Sequence, residues 1–135
     1  MVLCDTSILV AAINKADNDH VICAELLRSL RTKPVTTWPC FTEAMYLLYS
    51  QVGPTAAETL RQFIDRDAIV LHSGDQDELK RACALMRRYA DAPMDFADAS
   101  LVVAAETLKV ARILTLDSHF YAYRFDGDKR FDVAP

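Results

Sequence analysis

The sequence lacks any apolar segment long enough to cross a membrane. Its longest uncharged apolar stretch, residues 99–105, is far shorter than the roughly 20 residues that a spanning helix requires. The N-terminus has no basic region, and Asp5 interrupts the short apolar run before it, so no secretory signal is visible. We therefore expect a soluble, cytoplasmic protein that does not bind a membrane.

Paired metal-binding and disulfide-forming motifs are also missing. None of the four cysteines belongs to a Cys-x-x-Cys pair, and all lie among apolar residues, which favours reduced, buried thiols over disulfides. These cysteines are Cys4, Cys23, Cys40 and Cys83. The three histidines show no His-Glu-x-x-His spacing, which argues against a zinc site.

An excess of basic residues is absent as well. With 15 Lys and Arg against 19 Asp and Glu, the net charge is −4, which argues against a simple electrostatic clamp on nucleic acid. Nucleic acid remains open as a partner, because metal ions can neutralise an acidic site. No repeat or linker interrupts the 135 residues, and 52% of them are hydrophobic, so we expect one domain over residues 1–135.

Apolar periodicity alternates between short strands and helices along the chain. The predicted strands cover residues 2–4, 35–37, 68–71 and 113–116, with an edge strand around 131–133. The predicted helices cover residues 6–14, 19–31, about 39–48, about 55–66, about 75–86 and from Asp95 or Asp98 to about 108. Thr55 with Glu58, and Asp75 with Glu78, match the pattern that caps a helix. This alternation predicts an α/β fold with a mainly parallel sheet covered on both faces.

Five acidic residues at the ends of apolar elements are the most informative feature of the sequence. Asp5 and Asp117 each follow a predicted strand, Glu43 lies early in a helix, and Asp95 and Asp98 begin another helix. Parallel strands end at one edge of a sheet, so the fold can bring these acids together. Converging carboxylates need a cation, and oxygen ligands suit Mg²⁺ or Mn²⁺. Each acid alone could instead be a cap, a turn residue or a solvated side chain, and periodicity leaves that choice open.

The order of these residues resembles a known family. Asp5-Thr6-Ser7 after the first strand, Glu43 on a later helix, Asp98-Ala99 opening an apolar helix, and the run from Thr115 to Phe120 look like the PIN-domain nuclease family, more narrowly its VapC-type toxin ribonucleases. The resemblance implies an α/β/α sandwich that hydrolyses a phosphodiester bond in single-stranded or structured RNA with Mg²⁺ or Mn²⁺. It also implies a homodimer held inactive by a small antitoxin protein.

The resemblance assigns roles to individual positions. The catalytic acids would be Asp5, Glu43, Asp98 and Asp117, and the metal ligands among them Asp5, Asp98 and Asp117. Ser7 and Thr115 match hydroxyl side chains that support the site. Asp95 could be an outer ligand or only a helix cap, and both interpretations stay open.

Other functions and contacts remain to be weighed. A PIN-domain RNA-processing nuclease without a toxin role, a non-catalytic binding module of the same fold and a DNA-directed nuclease are alternatives. A phosphatase of the haloacid dehalogenase type is disfavoured, because Ser7 stands where its second aspartate belongs. Arg87 and Arg88 are the candidate RNA-binding residues. Trp38 and Tyr46 could stack on bases, although core packing is the favoured interpretation.

Overall fold

Short strands and helices alternate along the chain, as the sequence predicts. The computed structural model describes residues 1–135. Its strands are β1 Val2–Cys4, β2 Pro34–Thr37, β3 Val70–His72, β4 Arg112–Leu114, β5 Arg124–Phe125, β6 Lys129–Arg130 and β7 Asp132–Ala134. Its helices are α1 Thr6–Ile13, α2 His20–Ser29, α3 Trp38–Gln51, α4 Pro54–Asp65, α5 Gln76–Arg88 and α6 Phe96–Leu108, with a 3-10 helix at Ser118–Tyr121.

Five strands form one parallel sheet in the order β3-β2-β1-β4-β7. The central strand β1 places Leu3 beside Val35 of β2 and beside Ile113 of β4. Because all five strands run the same way, the chain leaves each of them at the same edge of the sheet. This edge carries the first residues of α1 and α3 and the segment after β4, so it collects the side chains considered below.

Alternate residues of the strands face two separate apolar cores. Leu3 and Ile113 pack with α5, α6 and the aromatic residues of the C-terminal segment. Val2, Cys4 and Leu114 pack with residues of α1 to α4. Helices therefore cover both faces of the sheet, and the predicted α/β/α sandwich with a mainly parallel central sheet is confirmed.

One of the two predicted helix caps is present in the structure, and the other is not. Asp75 caps α5 by accepting a hydrogen bond from the Glu78 backbone N–H at 2.9 Å. The predicted cap at Thr55 is wrong, because α4 begins earlier, with Pro54 at its first position and Gly53 as the N-cap residue. Gly53 has a φ of 134°, a conformation open to glycine, and proline suits a first turn that needs no N–H donor.

Strand ends differ from the prediction by one or two residues. The third strand is shifted towards His72, and the fourth begins at Arg112 and ends at Leu114. The predicted C-terminal edge strand is confirmed as β7, which pairs with β4. The antiparallel pair β5–β6 was not predicted, although the Asp126-Gly127 step between its strands is a recognised turn signal, and both residues have positive φ.

All four cysteines are free thiols, as predicted. Cys4, Cys23 and Cys40 are buried, and Cys83 is partly buried. Burial raises the pKa of the Cys40 thiol to about 12, so it stays neutral and serves as core packing. No helix is both long enough and apolar enough to span a membrane.

Candidate active site

Asp5 lies directly after β1 and is held by three hydrogen-bond donors. Its Oδ1 accepts from the Thr6 backbone N–H at 2.7 Å, which caps α1. Its Oδ2 accepts from the hydroxyls of Thr115 at 2.7 Å and Ser7 at 3.2 Å. The residue is only 5% exposed, and burial raises the pKa of its carboxyl although these three donors lower it. Asp5 is thus a fixed, buried acid with no basic partner.

The two hydroxyls that contact Asp5 also bind the segment after β4. Ser7 Oγ accepts from the Leu116 backbone N–H at 3.0 Å, and Thr115 Oγ1 accepts from the Asp117 backbone N–H at 2.9 Å. Each hydroxyl donates to Asp5 and accepts from a neighbouring chain segment at the same time. They therefore fix the position of Asp117 relative to Asp5, which supports the predicted role of Ser7 and Thr115.

Asp117 caps the short 3-10 helix and is paired with a histidine. Its Oδ1 accepts from the His119 backbone N–H at 2.9 Å and from His119 Nδ1 at 2.7 Å. The His119 ring stacks on the buried Tyr123 ring with 6.3 Å between centroids. The structure therefore places the His119 ring against an acid of the site.

Asp95 and Asp98 form a reciprocal capping box at the start of α6. Asp95 Oδ1 accepts from the Asp98 backbone N–H at 2.8 Å, and Asp98 Oδ2 accepts from the Asp95 backbone N–H at 3.2 Å. Burial and the neighbouring Asp95 carboxylate raise the pKa of Asp98 to about 8. Asp95 is the more exposed of the two. The capping role proposed for Asp95 is confirmed, and a further role as an outer ligand stays a prediction.

Glu43 lies in the second turn of α3 and belongs to the same group of acids. Burial, then the Asp95 carboxylate, raises the pKa of Glu43. Helix α3 is fixed near Glu43 by two hydroxyl contacts. Thr37 Oγ1 lies 2.6 Å from Ser100 Oγ of α6, and Thr6 Oγ1 donates to the Cys40 carbonyl oxygen at 3.2 Å. These contacts hold the helix of Glu43 against the helices that begin near Asp5 and Asp98.

The five predicted acids line a single open cavity of about 310 Å³, which we call the acid cavity. The convergence that the sequence left open is therefore present in the fold. Twelve residues line it: Asp5, Thr6, Ser7, Val10, Asp17, Glu43, Leu47, Gln51, Asp95, Asp98, Leu116 and Asp117. None of them is basic. Asp17, in the loop after α1, is an acid that the sequence analysis missed, since no strand or helix end marks it.

The donor chemistry of the acid cavity fits a hard divalent cation. Carboxylate oxygens surround it, three of the acids have pKa values raised mainly by burial, and no lysine or arginine side chain lines it. No three of these side chains form a ready-made ligand cluster, so the carboxylates line a space instead of converging on one point. Mg²⁺ keeps several waters and commonly takes only one or two carboxylates directly, which such a space accommodates.

The predicted RNA-binding arginines do not line the acid cavity. Arg87 and Arg88 are exposed in the last turn of α5, and the Arg88 guanidinium lies 5.5 Å from the Tyr89 ring centroid. Their role in binding RNA stays a prediction. The favoured core positions of Trp38 and Tyr46 are wrong, because these side chains are 53% and 70% exposed.

Replacing Thr115 with valine should weaken metal binding without removing a carboxylate. The valine keeps the shape but loses the hydroxyl between Asp5 and the Asp117 backbone N–H. We expect Mn²⁺ affinity, measured by calorimetric titration, to fall by about 10-fold or more, as is usual for supporting contacts of a metal site. Thr115→Ser keeps the hydroxyl and should bind Mn²⁺ like the wild type. Equal affinity in the valine variant would show that Thr115 does not orient the acids.

Comparison with known proteins identifies the family. Residues 2–126 match the PIN domain family. The chain belongs to the PIN domain family. The predicted family is thus confirmed, and the acid cavity lies inside the matched region of this PIN-domain chain.

Relatives of this PIN-domain chain include VapC proteins. It is 33% identical over 132 residues to Ribonuclease VapC26 of Mycobacterium tuberculosis, covering 97% of this chain and 98% of that protein. Its fold is similar to that of Mycobacterium tuberculosis VapC20, a sarcin-ricin loop cleaving toxin, with a TM-score of 0.86, 21% identity and coverage of 93% and 96%.

Two solved complexes contain chains of the same fold. One is a toxin-antitoxin complex from Klebsiella pneumoniae, with a TM-score of 0.65, 16% identity and coverage of 90% and 91%. The other is VapBC2 from Rickettsia felis bound to a DNA fragment from their promoter, with a TM-score of 0.69, 14% identity and full coverage of both chains. At these identities the structural likeness concerns the fold.

Proposed function

We propose that this PIN-domain protein is a divalent-metal-dependent endoribonuclease and the toxin of a toxin–antitoxin pair. The observation that carries the proposal is the acid cavity, which five predicted carboxylates line at the sheet edge with no lysine or arginine among them. The relative named Ribonuclease VapC26 supports an RNA substrate, and its similarity extends over nearly the whole of both chains.

The residues that would hold Mg²⁺ or Mn²⁺ are Asp5, Asp98 and Asp117, with Glu43 nearby. A bound divalent cation lowers the pKa of water and stabilises negative charge that develops on the reacting phosphate. Asp5 contributes a carboxylate whose direction is fixed by Thr6, Thr115 and Ser7. Its rigid placement avoids the cost of reorienting a charge during the reaction.

Glu43 is the acid of this set left to accept a proton, because Asp5, Asp98 and Asp117 would hold the metal ion. Burial raises the pKa of its carboxyl above the ordinary 4.5, which makes the carboxylate a stronger base near neutral pH. The Nδ1–H of His119 donates a hydrogen bond to Asp117, so this histidine orients the carboxylate and restricts its rotation. The acid cavity is open to solvent on one side, which gives a phosphodiester strand access to these groups.

The chemical ends of the cleaved RNA test this mechanism. Attack by water does not use the ribose 2′-OH, so we expect products with a 5′-phosphate and a 3′-OH. Ligation of a 3′ adaptor without prior phosphatase treatment, followed by sequencing, reads these ends directly. A 2′,3′-cyclic phosphate would show that the ribose hydroxyl attacks instead, and would contradict the mechanism. Parallel digestion of single-stranded DNA separates an RNA-directed from a DNA-directed nuclease.

The toxin role adds a protein partner and a cellular setting. We propose that a small antitoxin protein blocks the acid cavity, that the active form is a homodimer, and that the protein acts in the cytoplasm. The two solved toxin–antitoxin complexes with this fold support the first part. Growth arrest on expression, relieved by the gene product encoded next to this chain, would distinguish a toxin from an RNA-processing nuclease.

A further inference from the structure

A second cavity, of about 330 Å³, lies beside the acid cavity and has no role in the proposed reaction. Its walls include three partly exposed apolar side chains: Trp38, Leu79 and Phe96, which are 53%, 42% and 41% exposed. Its polar lining includes His72, Asp75 and Glu78. We call it the aromatic cavity.

Two helices connect the aromatic cavity with the acid cavity. Phe96 of the aromatic cavity directly follows Asp95 of the acid cavity on α6. Trp38 begins α3, which carries Glu43 into the acid cavity. A strand whose phosphate lies at the acids can therefore place a neighbouring base in the aromatic cavity.

The apolar walls and the size suit one planar heterocycle. Exposed aromatic faces bind bases by stacking, and this contact contributes substantially to the binding of single strands. A volume of about 330 Å³ lies at the lower end of the range for small-molecule pockets. The cavity thus fits a single base better than a larger ligand.

The polar side of the aromatic cavity carries a free hydrogen-bond acceptor. Glu78 Oε1 is used, because it accepts from His72 Nε2 and Thr107 Oγ1, both at 2.8 Å. Glu78 Oε2 accepts no hydrogen bond within the protein. Every fully buried side-chain polar atom of the protein has a hydrogen-bond partner. Because Oε2 has none, it is not fully buried and remains accessible to solvent. An accessible carboxylate oxygen without a partner can accept a hydrogen bond from a ligand.

Gly74 leaves room around this acceptor. The glycine lines the aromatic cavity and has a φ of 70°. A Cβ at this position would come within 3.1 Å of Glu78 Oε2, which is tighter than ordinary contact. The absence of a side chain at position 74 therefore keeps Oε2 accessible.

We propose that the aromatic cavity binds one base of the RNA strand, stacked against Trp38 and Phe96 and donating an exocyclic amino group to Glu78 Oε2. Adenine, cytosine and guanine carry such a group, whereas uracil does not. At the position where cytosine carries its amino group, uracil carries a carbonyl oxygen that the carboxylate repels, so the cavity selects against uridine. This inference rests on the proposed function, since it supplies a specificity subsite for the same RNA strand.

The fluorescence of Trp38 tests the subsite directly, because Trp38 is the only tryptophan of the chain. We would titrate the wild type in EDTA, where metal-dependent cleavage does not occur, with hexacytidylate and with hexauridylate. Hexacytidylate should quench the fluorescence saturably and bind about 10-fold more tightly than hexauridylate, because the exocyclic group that faces Glu78 is an amino donor in cytosine and a carbonyl acceptor in uracil.

Glu78→Gln should reverse this preference. The hydroxyl of Thr107 and the ring of His72 donate to Oε1, so the amide oxygen takes that place and the amide nitrogen takes the place of Oε2. A donor then faces the exocyclic group at position 4 of the base, which is a carbonyl acceptor in uracil and an amino donor in cytosine. We expect hexauridylate to bind at least as tightly as hexacytidylate, which mere loss of charge would not produce.

Stacking is tested by anisotropy of the same oligonucleotides carrying a fluorescent label. Trp38→Ala and Phe96→Ala should each weaken hexacytidylate binding by about 10-fold. Tyr46→Ala is the matched control, because Tyr46 is 70% exposed on the same helix as Trp38 and lines neither cavity. Its affinity should equal that of the wild type.

The outcomes separate the subsite from the proposed nuclease activity. RNA cleavage with Mg²⁺, together with unchanged Trp38 fluorescence and unchanged binding by Trp38→Ala, would overturn the subsite and keep the nuclease. Quenching by hexacytidylate without any cleavage would keep the subsite and reject the nuclease. If neither fluorescence quenching nor RNA cleavage is observed, both the subsite and the nuclease activity are rejected. A change from dimer to monomer in Trp38→Ala, measured by sedimentation, would show an interface between copies and would also overturn the subsite.

Discussion

Asp5→Asn is expected to lower RNA cleavage by at least about 10²-fold while the protein stays folded. Asparagine keeps the size of the side chain and can still cap α1 by accepting from the Thr6 backbone N–H. It removes the charge that would hold the metal ion. Asp5 is buried, and Thr6, Ser7 and Thr115 hold its carboxylate in place in the acid cavity.

The same substitution should leave thermal stability in EDTA unchanged or raised. Burial raises the pKa of Asp5, so its charged form destabilises the fold at neutral pH, and asparagine removes this cost. Part of the gain is offset, because the asparagine N–H₂ faces the hydroxyls of Ser7 and Thr115, which donate to Asp5 in the wild type. Mg²⁺ should stabilise the wild type and have little effect on Asp5→Asn.

The decisive comparison is made in cells and with a matched control. Wild type, Asp5→Asn and Asp77→Asn would be induced in a bacterial host, and end-labelled total RNA resolved on a gel. Asp77 is an exposed acid in the first turn of α5, outside the acid cavity, so its variant should cleave like the wild type. Full activity of Asp5→Asn would refute the assignment of the active site.

Stability in the absence of metal should fall as the pH rises from 5 to 8. The folded state raises the pKa values of Asp5, Glu43 and Asp98, the last to about 8. Between the ordinary values near 4 and this raised value, the folded state holds protons that the unfolded state has released. Unfolding then releases protons, and the free energy of unfolding decreases with pH.

We expect a decrease of at least about 1 kcal/mol, or roughly 3 °C in Tm, after allowing for the partial exposure of Asp98. Differential scanning calorimetry in EDTA across this pH range measures it. Adding Mn²⁺ should reverse the trend, because metal binding requires the ionised acids and therefore strengthens as pH rises.

Asp98→Asn serves as the control for this pH dependence. Its N-capping partner Asp95 stays in place, and an acid whose pKa is raised to about 8 is gone. The variant should therefore show a flatter dependence of Tm on pH in EDTA. A wild-type Tm that rises between pH 5 and 8 would contradict the charge repulsion inferred for the site.

The fold could be predicted from the sequence because its strands and helices follow local rules. Asp5 after β1 and the capping box of Asp95 and Asp98 are set by neighbours within four residues. The cap at Thr55 failed because two helix-start signals overlap there, and the Gly53-Pro54 step outweighed the Thr55 hydroxyl. The short pair β5–β6 carries too few residues to show strand periodicity.

The site could be predicted only as far as its residues mark the ends of elements. Asp17 lies in an irregular loop and reaches the acid cavity through the path of the chain, which periodicity does not describe. Trp38 has the apolar character of a core residue, and only the packing of α3 against α6 shows that its ring is exposed. The burial of a side chain at the start of a helix depends on which helix faces pack together in the fold. Sequence spacing alone does not determine that packing.

The hydrogen bond between Asp5 and Thr115 joins residues 110 positions apart. During synthesis, the first acid therefore leaves the ribosome long before its partners on the segment after β4 exist. At about 5–20 residues per second, the delay is roughly 5–20 s. Until then β1 has no β4 beside it, and the acid cavity cannot assemble. A nascent chain of this protein therefore lacks the complete acid cavity until most of the polypeptide has emerged.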